Sequence, residues 1–298
     1  CYHERAFYYW RHGYYGHVQF ICSDALTKVN NDLFLHIWKS LSLGILGQTE
    51  DALKEISEIE FRDDLLLLLS ISQYCIIKSG SNIDHQKVKE LQSEIKKQVK
   101  ISNQFCVSQS AQTAFMFNNI KLANQILSYA KEPMPVSGWI QLIAGDISSA
   151  EHIFDSILNT DPNNLLSLYG KYIIYLTTSK NSESLEIYGK IVGRYNFPEL
   201  NVEKARNSAR YGNYDQAVTI LHEYQHLLPT TIEYDIFSAL NSIIKKADII
   251  STNKHLIRIF HICEQHERNN WKLTSKISLV FGTLSRQNLT LINFWYKR

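Results

Sequence analysis

The chain has 298 residues, 45% hydrophobic and 20% charged, with 31 basic against 29 acidic side chains and a net charge of +2. A balance this even gives no bulk attraction to nucleic acid. The longest apolar run, Leu65 to Ile77, falls well short of the roughly 20 residues that a membrane-spanning helix needs, so neither nucleic-acid binding nor direct membrane insertion is expected.

Six stretches repeat one fragment along the chain: a Gly or Asn (Ser179 in one of them), four residues, a small residue, three more, then an apolar residue. Aligned on the small position they give Val18, Ala52, Ala123, Ala150, Ser184 and Ala217, spaced by 34, 71, 27, 34 and 33 residues. A period of about 34 residues marks tetratricopeptide repeats, each a pair of helices A and B. The expected fold is therefore all-α, a right-handed tetratricopeptide-repeat α-solenoid of antiparallel helix pairs. About eight repeats are expected, some degenerate, as one continuous domain over residues 1–298.

Each position in the fragment has a physical reason. Gly13, Gly47, Gly145 and Gly212 fall where helix A ends and the backbone turns left-handed. The small residue falls where helix B crosses helix A too closely for a larger side chain. The apolar residue four further on shares its face and fills the groove. Proline ends helix B and starts the next unit.

In chain order, the aromatic run Phe7, Tyr8, Tyr9, Trp10, Tyr14 and Tyr15 is expected mainly to pack the first helix pair, its remainder free to contact whatever caps the chain. The run at Leu65 to Ile77 reads as a helix buried on both sides. The 71-residue gap implies a degenerate repeat whose second helix lies near Asp84 to Ile101. There, Lys87 to Lys100 places Val88, Leu91, Ile95 and Val99 on one face and charges elsewhere, which reads as a solvated face, with a basic contact ridge as the alternative. The 27-residue gap implies a shortened first helix between Pro135 and Ala144. Past Thr230 the signature loosens, though Ile232–Ala247, Leu256–His266 and Leu273–Ser285 still read as helices.

The five cysteines are scattered and odd in number, which reads as reduced, buried thiols. The chain opens and closes inside helix patterns, without a polar capping helix, so a piece of a longer polypeptide is expected.

Little catalytic chemistry is encoded. His222 to His226 spells H-E-Y-Q-H, the zinc-peptidase pattern with its two histidines four apart and a glutamate as general base. It lies at positions the repeat leaves variable, and no G-x-x-H follows; Glu233 is the nearest conceivable third ligand. His261, Cys263 and His266 cannot converge on one ion, since the first two lie on different sides of a helix. No phosphate loop, dinucleotide fingerprint or nucleophile elbow is present. The reading is no enzyme, no metal and no cofactor, with a zinc hydrolase as the discarded rival.

Tetratricopeptide co-chaperones clamp a C-terminal carboxylate with Lys, Asn and Arg on successive A helices. Here the corresponding positions are His3 and Phe7, then Ile37 and Leu41, so no carboxylate clamp is expected. The candidate partner surface is an apolar and mixed concave face carrying Ile37 and Leu41. Arg206 and Arg210 form its local positive pair, able to grip an acidic segment.

The opening Y-H-E-R-A-F-Y-Y-W-R-H-G-Y-Y-G-H-V, followed by L-G-I-L-G-Q-T-E-D-A-L-K-E-I, resembles the N-terminal region of the tetratricopeptide repeat protein 21 family. The charged helix at His85 to Lys100, the repeat at Asn118 to Leu127 and W-K-L-T-S-K-I-S-L-V-F-G-T-L follow in the order the family would have. The departure is the shortened repeat between Pro133 and Ala150. The resemblance implies the large all-repeat subunit of intraflagellar transport complex A, a scaffold in the cytoplasm and cilium, at the ciliary base and axoneme. Its implied partners are other complex A subunits (WD-repeat and tetratricopeptide proteins) and an adaptor of the tubby-like class, in retrograde transport and ciliary cargo entry. The alternative is a generic tetratricopeptide adaptor in another assembly, such as a ubiquitin-ligase scaffold or a chaperone adaptor.

Overall fold

The computed structural model describes residues 2–29, 32–59, 63–195, 197–227, 233–245, 252, 254–259 and 261. Among them no strand occurs. The helices run in chain order as α1 (Tyr2–His12), α2 (Tyr15–Lys28), α3 (Leu33–Ile45), α4 (Thr49–Ser57), α5 (Leu66–Ser79), α6 (His85–Gln98), α7 (Gln104–Met116) and α8 (Ile120–Leu127). They continue as α9 (Pro135–Ala144), α10 (Ile147–Thr160), α11 (Leu165–Thr177), α12 (Asn181–Arg194), α13 (Leu200–Arg210), α14 (Tyr214–Tyr224) and α15 (Glu233–Ile244). From α1 to α14 they form consecutive A–B pairs, the all-α repeat fold that the 34-residue period predicts.

The turn between A and B is stamped out six times. Gly13, Gly47, Gly145 and Gly212 have φ between 81° and 85°, while Asn118 and Ser179 take the same left-handed turn at 58° and 59°. In each case the next residue donates its N–H back to the carbonyl five residues earlier: Tyr14 to Tyr9, Gln48 to Leu43, Asn119 to Ala114, Asp146 to Gln141, Lys180 to Tyr175 and Asn213 to Ser208. That bond closes the helix C-terminus and aims the chain into helix B. The turn between α5 and α6 differs: Gly80 is extended, at φ −71°. This is the degenerate repeat, whose second helix α6 begins after Asp84, where the Asp84 carboxylate accepts from the Lys87 N–H.

All six aligned small residues lie on B helices and are buried. Ala217→Leu is expected to overpack the α13–α14 crossing and cost about 1–3 kcal/mol; chemical denaturation with an unchanged midpoint would show that the crossing lies elsewhere. The apolar position four residues on is less uniform. Cys22, Ile56, Phe154 and Leu221 are buried, but on α8 and α12 it is Ile126 and Ile187, three residues on, that go fully inside. The short repeat is shortened twice, since α8 has 8 residues and α9 has 10. Pro135 opens α9 at its first turn, where a missing N–H costs nothing.

In the repeat built from α9 to α12, Phe154 on α10 is fully buried with Ala150 and Ile174. Trp139, its ring centre 6.0 Å away, closes the cluster. The ring lodges between two A helices at places where neither has a side chain. A Cβ at Gly138 would stand 2.5 Å from the ring, and Gly170 on α11 meets it more closely still. Helix α5 is buried around most of its circumference, from Leu67 to Ile77. Among the described residues no helix is long and apolar enough to cross a membrane.

The chain divides into two compact units, one of residues 1–21 with the residues from Phe197 onward, the other of residues 22–196. Cys22, Cys75 and Cys106 are free and buried. Burial pushes the thiols of Cys22 and Cys75 up to about 12, so both are inert neutral side chains at neutral pH. Cys1 and Cys263 lie outside the described residues, as do Pro229, His266 and the expected helix at 273–285.

Candidate interaction surfaces

Two of the four residues that sequence reasoning placed on a partner face are turned inward, while Arg210 is exposed. Ile37 and Leu41, on α3, are 3% and 2% exposed. They are core residues of the second repeat and offer no surface to a partner, because an A helix between two neighbours buries an apolar stripe wherever it has one. The helix pair also carries a half-buried polar contact: His36 Nδ1 and Lys39 Nζ each lie 2.6 Å from the buried Glu55 carboxylate on α4.

Arg206 does meet acidic groups, but they belong to this chain. Its guanidinium pairs with Glu203 on its own helix and with Glu233 on α15. It also lies 2.8 Å from His12 Nε2 and 3.4 Å from the Tyr8 hydroxyl, both on α1. Arg210 donates to the Asn207 side chain at 3.1 Å. Around Arg206 the network widens: Arg5 binds Glu199 at 2.6 Å, Arg11 binds Glu203 at 3.3 Å, and the Tyr14 hydroxyl donates to Glu233 at 2.8 Å. Three guanidiniums thus face three glutamates that are almost fully buried.

Electrostatics keep Glu203 and Arg206 ionised. Burial alone would raise the Glu203 carboxyl, but the Arg206 charge, the hydrogen bond from His12 and the Arg11 charge outweigh it and hold the group well below its ordinary range. Burial likewise opposes the charge on Arg206, and Tyr8, Glu203 and Glu233 restore it. Burial, followed by the neighbouring Glu199 carboxylate, pushes the Tyr9 phenol far above its usual value.

Sequence reasoning missed this cluster although a signal was present. Glu199, Glu203 and Arg206 recur at i, i+4 and i+7 from the N-cap of α13 into the helix, the spacing of a buried stripe, while Arg5, Tyr8 and His12 recur at i, i+3 and i+7 on α1. Reading charge as exposure hid the match. The aromatic run was read more closely: Tyr8, Tyr9, Trp10, Tyr14 and Tyr15 are buried and Phe7 is partly so. Trp10 and Tyr15 pack edge to face at 4.9 Å within the first pair, while Tyr8 reaches the Phe197 ring at 6.2 Å.

The H-E-Y-Q-H segment does not assemble. Helix α14 ends at Tyr224, so His226 lies beyond it, and His222, Glu223 and His226 are all exposed. Glu233 is already held by Arg206 and Tyr14. Replacing His222 and His226 together by Ala is expected to leave the melting temperature unchanged. The purified chain is expected to hold less than about a tenth of an equivalent of zinc by elemental analysis, since three well-placed ligands are the minimum for a catalytic site.

On α6 the charged side chains apart from the half-buried Glu94 are exposed, and Val88, Leu91 and Ile95 face inward. The larger apolar exposure is nearby, at Val29, Ile101, Phe105 and Tyr129, all on residues 22–196.

Compared with known proteins, residues 6–218 match the family model described as tetratricopeptide repeat protein 21 N-terminal ARM repeat. The chain is 21% identical to tetratricopeptide repeat protein 21B of Mus musculus over 95% of its length, and 22% identical to protein 21A of the same species over 93%. It spans 22% of the length of each of these relatives. Among solved structures, the APC/C hetero-tetramer Cut9-Hcn1 superposes with a TM-score of 0.50 at 14% identity, covering 90% of this chain and 53% of that one. At that identity the likeness bears on the fold alone.

Proposed function

The chain belongs to the tetratricopeptide repeat protein 21 family, and from that membership we propose that it works, without catalysis, as part of a scaffold subunit of intraflagellar transport complex A. In this reading it holds other complex A subunits together for retrograde transport and for the entry of cargo into the cilium, and resides in the cytoplasm and cilium. An adaptor of the tubby-like class is a further partner. The observation that carries the proposal is the match over residues 6–218. The repeat fold supports it physically, since stacked helix pairs in repeat architectures provide extended surfaces for binding other proteins.

The test is affinity purification of the tagged chain from an extract of ciliated cells, with bound proteins identified by mass spectrometry. Recovery of the WD-repeat subunits of complex A is the expected result. Recovery of chaperones or ubiquitin-ligase subunits alone would overturn it and identify a generic repeat adaptor.

A further inference from the structure

The hydrogen bonds that tie α1 and Tyr14 to α13 and α15 span from 191 to 219 residues of chain. By their contacts, residues 1–21 belong to the same compact unit as the chain from Phe197 onward, and the division from residues 22–196 falls inside α2. The opening segment is thus a separate strip laid on helices from the other end of the sequence.

The two sides of this contact are built differently. Glu199 at the N-cap of α13, Glu203 on α13 and Glu233 on α15 form the floor, their side chains 0%, 3% and 3% exposed. Arg206 pairs with Glu203 and Glu233 from within the floor itself. Three carboxylates against that one guanidinium leave the floor two negative charges in excess. The opening helix supplies two positive ones, Arg5 on Glu199 at 2.6 Å and Arg11 on Glu203 at 3.3 Å. Their side chains are 24% and 15% exposed, so both cations enter from the wet rim. Between them in sequence, Tyr8 meets the Phe197 ring at 6.2 Å and Arg206 at 3.4 Å. Past the turn, the Tyr14 hydroxyl donates to Glu233 at 2.8 Å.

The composition of the contact decides how it can behave. An apolar helix face that loses its partner is left against water, whereas separated charges regain their hydration. For buried ion pairs the desolvation penalty offsets much of the attraction, so such a contact selects its partner sharply without holding it irreversibly. The floor also keeps its own link when uncovered, because Arg206 bridges α13 to Glu233 of α15. An acidic seat with fixed spacing is preorganised for a helix that brings the matching cations.

We propose that α13 and α15 form a helix receptor and that residues 2–21 are its internal ligand, a latch that a partner helix with the same stripe can displace. The stripe is two arginines six residues apart with tyrosine between them, as in R-A-F-Y-Y-W-R from Arg5 to Arg11. The inference goes beyond the scaffold reading and does not depend on which assembly the scaffold serves.

The test uses the whole chain and a fluorescein-labelled peptide of residues 2–21, read by fluorescence anisotropy. In the wild type the seat is occupied, and only weak binding is expected. Arg5→Gln with Arg11→Gln in the chain removes both cations of its own latch and leaves the seat intact. The peptide is then expected to bind at least about tenfold tighter than to the wild type, since the competing latch is weakened. Adding Glu199→Arg to that variant should abolish binding of the peptide, and a peptide carrying Arg5→Glu should restore it. A purely structural ion pair would give no such rescue in trans. Equal binding to wild type and variant, or binding indifferent to Glu199→Arg, would overturn the proposal. Should the variants lose their helical circular dichroism, hydrogen exchange of the wild type decides instead. The amides of α1 are expected to exchange through an opening of their own while α13 and α14 stay protected. Exchange of all three helices in one cooperative event would make the contact fixed core, and the proposal would fall.

Discussion

Phe154→Ala is expected to destabilise the repeats around α10 by about 3–5 kcal/mol, the range for removing a fully buried phenylalanine. The ring is completely enclosed and fills the space left by two glycines, so no neighbouring side chain can swing in to close the void. The companion experiment is a double-mutant cycle. Gly170→Ala alone adds a good helix former, worth roughly 1 kcal/mol in an exposed helix, yet the new methyl group strikes the Phe154 ring. A net loss is expected from overpacking. With Phe154→Leu in place the clash is relieved, and Gly170→Ala should become neutral or stabilising. Denaturant unfolding, with Trp139 as the local fluorophore, reads all four corners. Strictly additive effects would show that the glycine is small for another reason.

Arg206→Met is expected to cost about 3–5 kcal/mol at pH 7, because it leaves Glu203 and Glu233 buried without their central cation. The methionine keeps most of the aliphatic volume, so the loss reports charge. The pH dependence gives the sign. In the wild type the folded Glu203 carboxyl is held well below its unfolded value. Its contribution to stability is therefore present above the unfolded value and is lost only as pH falls through the lower folded one. In the variant burial is no longer outweighed by Arg206, and the carboxyl can take up a proton in the folded state. The gap between variant and wild type should narrow as pH falls from 7 toward 4. A gap that stays constant would assign the effect to packing. Adding Glu233→Gln to Arg206→Met should recover part of the lost stability, since one of the two stranded charges is removed.

These two sites were not equally legible. The register around Phe154 follows from G-D-I-S-S-A-E-H-I-F, which places Ala150 at the crossing and Phe154 in the groove, and both are fully buried. What the repeat could not show is that Gly138 and Gly170, on two different A helices, make room for one ring. That coincidence depends on the rotation of α9 and α11 about their axes. Arg206 was visible as a basic residue, and its partners were visible as acidic ones, but α1 and α13 are nearly 200 residues apart in the chain. No local rule pairs Arg5 with Glu199 across that separation. The zinc-like pentapeptide lies at the end of α14, where His222, Glu223 and His226 are all exposed.

The amino-acid sequence by itself determined the period, the helix pairs, the left-handed turns at Gly13, Gly47, Gly145 and Gly212, and the burial of the small residues. All of these are set by short-range sterics and hydrogen bonding, repeated in each unit and readable from spacing. Only the tertiary structure decided that Ile37 and Leu41 are interior, that Arg206 is neutralised from within by Glu203 and Glu233, and that Phe105 is left outside. Those outcomes depend on which helix faces meet. Contacts between residues far apart in sequence are chosen by the packing of whole elements, and the same leucine or arginine serves as core or as surface according to what lies opposite.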